Sequence, residues 1–191
     1  WNKIKKSRPI FHNFGGTRKI FYHNAPRYWI RALTYAPYFY NDKHGEQVST
    51  QMKVINVQND LIGNCLVAIL NSTLFYWWFI TLSDCRHLNL REIESFPIEL
   101  TNIPLDLLNK LDTLSKELII DLQNNSKRKE TFYKSTGKVI YDEFYPKKSR
   151  SIIDEIDRVL ASFYGFSDEE LDFIINYDFK YRMGISAEET D

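Results

Sequence analysis

Residues 61–82 run for 22 positions without a charged side chain. A chain carrying such a segment must either cross a membrane with it or bury it. Asn64, Asn71, Ser72 and Thr73 interrupt the segment, and Trp77 and Trp78 sit together instead of marking two interfaces as an aromatic belt would. Burial is therefore the expectation: a helix capped by Asp60, spanning 61 to about 82, at the centre of a folded domain. The segment then runs straight into a polar cluster, Asp84, Arg86, His87, Asn89 and Arg91, closed by Pro97. A rigid buried helix holds the donors and acceptors that follow it in a fixed place. That arrangement suits recognition of a polar, anionic surface better than it suits catalysis.

The residues before this helix read as strands. Gly15-Gly16 gives a turn signal ahead of 18–22, Pro26 and Pro37 bracket an aromatic and branched run at 28–36, and 52–57 is a third β-prone stretch. Residues 41–45, Asn-Asp-Lys-His-Gly, read as a loop. Further on, Pro104 stands where the first residue of a helix belongs, and Leu107, Leu108, Leu111, Leu114, Leu118, Ile119 and Leu122 recur at helical spacing up to Asn124. This stripe packs either on the domain or on another helix. Residues 127–148 are basic and aromatic, punctuated by Gly137 and Pro146, and read as an extended linker or hairpin. Two short helices close the chain. One opens on a capping-box pattern at Ser151 and Asp154 and stops at Gly165; the other is capped by Ser167 with Glu170. The resulting fold class is α+β: a mixed or antiparallel sheet packed on a buried helix, followed by a long amphipathic spacer helix and a small C-terminal helical segment. Residues 1–103 form the α+β domain and 104–191 the helical spacer and tail.

The formal net charge is +0, from 25 Lys and Arg against 25 Asp and Glu, and the balance conceals a segregation. Residues 1–41 carry eight bases and no acid, 127–150 carry eight bases against three acids, and 151–191 carry three bases against eleven acids. Binding a polyanion needs local positive charge, not a positive total. Cys65 and Cys85 make no disulfide framework and fit a reducing, cytoplasmic setting. The first residue is Trp1, not Met, so the chain reads as a piece of a longer protein.

Catalytic patterns are weak. No phosphate-cradling loop is present beyond Gly15-Gly16, and His12, His23, His44 and His87 have no metal-ligand spacing, so no metal site is expected. An acid followed by acid-any-Lys, as in metal-dependent nucleases, fits only Asp172 with Asp178-Phe179-Lys180, at the end of an acidic helix that would repel DNA. His87 with Asp84 could form a base and its orienter, but a hydrogen-bonded turn explains the pair more simply. No catalytic residue is assigned.

The run Leu70-Asn71-Ser72-Thr73-Leu74-Phe75-Tyr76-Trp77-Trp78, then Ser83-Asp84-Cys85-Arg86-His87-Leu88-Asn89, Arg91-Glu92-Ile93 and Phe96-Pro97, resembles the TaqI-like C-terminal specificity domain. That domain is the target-recognition part of adenine-specific DNA methyltransferases and of fused type IIG restriction-modification enzymes. The tail, with Ile152-Ile153-Asp154-Glu155-Ile156 and Tyr164-Gly165-Phe166, is similar to the C-terminus of the same proteins. The resemblance implies double-stranded DNA as a partner, and an N-terminal methyltransferase domain of the same protein as another. It places S-adenosylmethionine, and magnesium for any nuclease, in that other part, with no cofactor in this chain and no membrane. The Asn-Pro-Pro-aromatic motif that grips a flipped adenine would also lie there, since this chain has no Pro-Pro dipeptide.

Phosphate contacts position a protein on DNA, whereas flat bidentate groups read bases. Arg18, Lys19, Arg27, Arg31, Lys127, Arg128 and Lys129 are the phosphate candidates, with Lys147, Lys148 and Arg150 as further ones. Arg86, His87, Asn89 and Arg91 are candidate readers, with Gln47, Ser49, Thr50 and Lys53 as loop alternatives. The tryptophans are assigned to the core. The competing function is a structural or oligomerisation module pairing through the 104–124 helix.

Overall fold

The computed structural model describes residues 2–4, 9–10, 14–26 and 28–177. It is an α+β structure with two antiparallel sheets, the first of which packs on a helical core. The first sheet has the order β2-β1-β5, from β1 (Phe14–His23), β2 (Ala32–Leu33) and β5 (Met52–Val57). The second has the order β4-β3-β7-β6, from β3 (Phe39–Asn41), β4 (Gly45–Glu46), β6 (Lys127–Tyr133) and β7 (Gly137–Glu143). The 127–148 segment is thus a hairpin, and β3 pairs with β7 through Phe39 opposite Tyr141 and Asn41 opposite Val139. Sheet pairing and core packing therefore both run across the expected 103/104 boundary.

Gly15 and Gly16 lie within β1 and do not precede it. The register slips there, with both Phe14 and Arg18 opposite Val57, and Gly16 takes φ +131 where an added Cβ would lie 2.5 Å from the Val57 carbonyl oxygen. Only glycine lets the two strands approach so closely at this bulge. The run expected as a strand at 28–36 keeps only Ala32–Leu33 in a ladder. Its prolines and aromatic residues serve packing in place of pairing.

The charge-free segment is buried as expected, but it forms two helices, not one. α1 spans Asp60–Asn71 and α2 spans Thr73–Leu82, bent by 64°. Asn59, and not Asp60, is the cap: its side chain accepts from the Ile62 amide at 3.0 Å. The polar residues that argue against a membrane span also make the bend. Asn71 donates to Ala32 O and Val67 O, each at 2.8 Å, which pins α1 to β2. Ser72 accepts from Phe75 N at 3.0 Å and so caps α2. Asp157, from a later helix, accepts the next two amides, Thr73 N at 3.2 Å and Leu74 N at 3.0 Å. Among the described residues no single helix is long and apolar enough to cross a membrane.

After a short α3 (Leu90–Glu94), α4 spans Leu105–Asn125 with Pro104 as the cap, one position earlier than expected. Its stripe packs on the domain: Leu111, Leu118 and Leu122 are fully buried, and α4 lies against α1 and α5 (Arg150–Tyr164). The Ser151–Asp154 capping box does not form. Both residues lie inside α5, where Asp154 instead pairs with Arg150 at 2.6 Å. Gly165 ends α5, and Ser167 with Glu170 makes the expected capping box of α6 (Asp168–Ile175). Trp78 belongs to the core and Trp77 packs against it, as assigned.

Candidate nucleic-acid interface

Register decides which side chains share a surface, because successive residues of a strand point to opposite faces. In β1 and β5, Ile20 opposite Ile55 faces the helices, so Lys19 opposite Asn56, Phe21 opposite Val54 and His23 opposite Met52 share the other face. In the hairpin, Lys127, Lys129, Thr131 and Tyr133 share a face with Val139, Tyr141 and Glu143. These two faces meet across a cleft of about 540 Å³, lined by His23 and Met52 on one side and by Phe39, Tyr133 and Tyr141 on the other. Trp29, Arg31, Tyr38 and residues 49–51 complete it. A larger cavity of about 650 Å³ beside α2 is mostly apolar, and its Asn71 and Ser72 are already bonded within the fold.

Arg31 is the distinctive group of the cleft. Its guanidinium lies 5.3 Å from the Phe144 ring centre, and its Nη2 approaches the Met52 sulfur at 3.8 Å. No carboxylate pairs with it among the described residues, and its Nε is buried without a hydrogen-bond partner. Burial works against its charge, and Tyr35 and Asp142 nearby only partly offset this. An arginine does not lose its proton at ordinary pH, so the cleft wall keeps a positive charge that Asp142 offsets only in part. Beside it, His23 Nε2 is 2.8 Å from Gln51 Oε1. Burial, and then the charge of Arg31, hold the His23 ring below its usual protonation range.

The two carboxylates at the rim are engaged elsewhere. Asp142 accepts from Arg128 Nε at 2.7 Å and from Tyr38 N at 3.1 Å, and Arg128 also stacks 3.8 Å from the Tyr38 ring centre. Glu143 accepts from the Tyr145 hydroxyl and pairs with Lys129 at 3.3 Å, and the two partners hold its carboxyl below its usual range. Two of the three hairpin bases nominated from the sequence are thus neutralised locally. Lys127 makes no ion pair among the described residues, although it stands opposite Glu143 and its charge adds to the lowering of that carboxyl, and it lies 6.0 Å from the Tyr145 ring centre.

The other nominated residues divide. Lys19 is exposed on the cleft-side face of its sheet. Arg18 lies on the opposite, helix-side face and pairs with Asp60 at 2.8 Å. Lys53 shares that opposite face, but its Nζ reaches the Thr50 carbonyl at 3.1 Å and so stands at the cleft margin with Ser49 and Thr50. Gln47 bonds back to Phe39 through its amide. Arg27 lies outside the described residues, as do Asp178, Phe179 and Lys180 of the nuclease pattern. Arg150 is taken up by Asp154. Lys147 and Lys148 sit in a 3₁₀ turn, Pro146–Ser149, with Lys148 5.9 Å from the Tyr145 ring centre.

The 84–91 cluster is an exposed, self-bonded turn. Asp84 Oδ1 accepts from the Arg86 and His87 amides at 2.9 and 3.0 Å. These backbone bonds, His87 first, hold its carboxyl below the usual range. His87 Nδ1 lies 3.6 Å from Asp84, Asn89 caps α3 by exchanging bonds with Glu92, and Arg91 pairs with Glu92 at 2.8 Å. Arg86 keeps a side chain with no acidic partner among the described residues. The Leu88 amide donates to Asn24 O at 2.9 Å and Asn24 in turn donates to Gln51 O, so this turn is tied to the cleft margin.

Tyr38, Gln51, Tyr133 and Tyr141 were not nominated from the sequence. The aromatic content of 127–148 was a signal for the two tyrosines of the hairpin, but their partners at residues 23–52 come from strand pairing across about 100 positions. No protein-family model matches this sequence, and neither a curated protein nor a solved structure is similar enough to it to indicate kinship.

Proposed function

We propose that this chain is a double-stranded DNA target-recognition module. In this reading it is the C-terminal specificity part of an adenine-specific DNA methyltransferase or type IIG restriction-modification enzyme, working in the cytoplasm beside an N-terminal methyltransferase domain. The methyl transfer, its S-adenosylmethionine and any nuclease belong to that other domain. The resemblance carried by residues 70–97 and the C-terminal helices motivates the family. The observation that carries the biochemical reading is a set of three exposed bases, Lys19, Arg86 and Lys127, none in an ion pair among the described residues, on the strand faces and the turn that border the cleft between the sheets. Lys53 stands at its margin. Exposed cations of this kind position a duplex by its phosphates, and groups such as Gln51, Ser49 and Thr50 at the margin are suited to base edges.

The test is a titration of duplex DNA against the whole chain at several salt concentrations. Counterion release makes log affinity fall linearly with log salt, by about 0.9 for each phosphate neutralised. Replacing Lys19, Arg86 and Lys127 together by Ala should weaken binding and reduce that slope by up to about 3, at 0.9 for each lost contact. Binding that is absent at low salt, or indifferent to salt, would refute the proposal.

A further inference from the structure

The cleft is the wrong size for a duplex. At about 540 Å³ it falls in the range of pockets that enclose one small ligand, whereas a major groove alone is about 12 Å wide. Its walls are nevertheless those expected for part of a nucleic acid. Tyr133, Tyr141 and Phe39 present rings from one sheet, and Trp29 and Phe144 add more. Every nucleobase has a face that stacks on such rings. His23, kept neutral, and Gln51 offer donor and acceptor atoms beside them. Arg31 supplies a positive charge that Met52 and Phe144 hold in place but do not neutralise. The carboxylates at the rim, Asp142 and Glu143, are bound to Arg128 and Lys129 and do not cancel it.

Resting on the DNA-recognition reading, we infer that this cleft receives one unstacked nucleotide of the bound DNA, its base against Tyr141 and its phosphate on Arg31. An aromatic cleft next to a duplex-binding surface gives a displaced base somewhere to stack, and the guanidinium, which makes no ion pair among the described residues, favours the phosphate that travels with it. The energy of stacking offsets part of the unpairing cost that any base must overcome on leaving the helix.

The probes are three duplexes of one sequence: fully paired, with a single unpaired nucleotide, and with an abasic site at that unpaired position. The base-bearing bulge should bind roughly tenfold tighter than the abasic one, the gain expected for one base on an aromatic ring. Tyr141→Ala should abolish that difference and Tyr141→Phe should keep it. Arg31→Met, which retains the packing but not the charge, should weaken both bulged duplexes and leave the paired duplex unchanged. If Tyr141→Ala fails to fold, Arg31→Met decides. Equal affinity for base-bearing and abasic bulges, with salt-dependent binding of all three, overturns the inference and leaves duplex recognition standing. So does a preference that survives both substitutions. Failure to bind any of the three duplexes overturns both.

Discussion

Asp157 is 1 % exposed and spends both carboxylate oxygens on the first amides of α2, at 3.0 and 3.2 Å. Replacing it with Ala leaves a buried and a part-buried N–H without a partner, at a cost of about 1–3 kcal/mol for each. The charge works in the opposite direction. Burial pushes the Asp157 carboxyl up to about 6 from 3.8, despite the amide bonds that favour its ionised form. A shift of this size is worth about 3 kcal/mol. Between the two pKa values the folded state holds a proton that the unfolded state has released, so stability falls as pH rises through that window. The full benefit is present below about pH 4, and it is lost above about pH 6. The Ala variant lacks this dependence. The difference in unfolding free energy between wild type and Asp157→Ala should therefore shrink by about 2 kcal/mol from pH 4.5 to pH 7. Urea melts of both proteins across that range measure it, and taking the difference removes the contributions of other titrating groups. A difference that is constant with pH, or that grows towards neutrality, would show that the carboxylate is not carried as a buried charge.

Three further substitutions test the frame that holds the cleft. Gly16→Ala places a methyl group 2.5 Å from a backbone oxygen at φ +131, whereas Gly15→Ala at φ +96 meets nothing within 4 Å. Urea melts should show Gly16→Ala destabilised by about 2 kcal/mol or more and Gly15→Ala by clearly less; equal losses would refute the close-approach account of the bulge. Leu118, fully buried in α4, should lose about 2–5 kcal/mol on replacement by Ala, with no change in the molecular mass measured by light scattering. A drop in mass would show that the stripe also joins two chains.

How much could be read in advance depended on the range of each interaction. Burial of 61–82, the amphipathic character of 105–125, the Gly165 stop and the Ser167–Glu170 box were legible because they rest on local pattern. The bend at Ser72 was not, because its decisive partner, Asp157, lies 83 positions from Leu74. The same limit applied to the interface. Charge segregation pointed to residues 1–41 and 127–150, but which cations stay free depended on folded neighbours: Asp60 for Arg18, Asp142 for Arg128 and Glu143 for Lys129. The polar cluster at 84–91 looked like a set of readers, and most of its groups bond to one another. The rings that oppose Arg31 could be identified only once β3 had found β7.

That pairing sets the unit in which this protein can be cut or exchanged. Phe39 and Asn41 in the first half complete their ladder with Tyr141 and Val139 in the second. A fragment ending at residue 103 keeps most of the nominated cations yet loses an entire wall of the cleft and exposes a strand edge. Moving the cleft into another protein therefore requires residues 14–57 together with 127–144, and the 84–91 turn as well if Arg86 is to go with it.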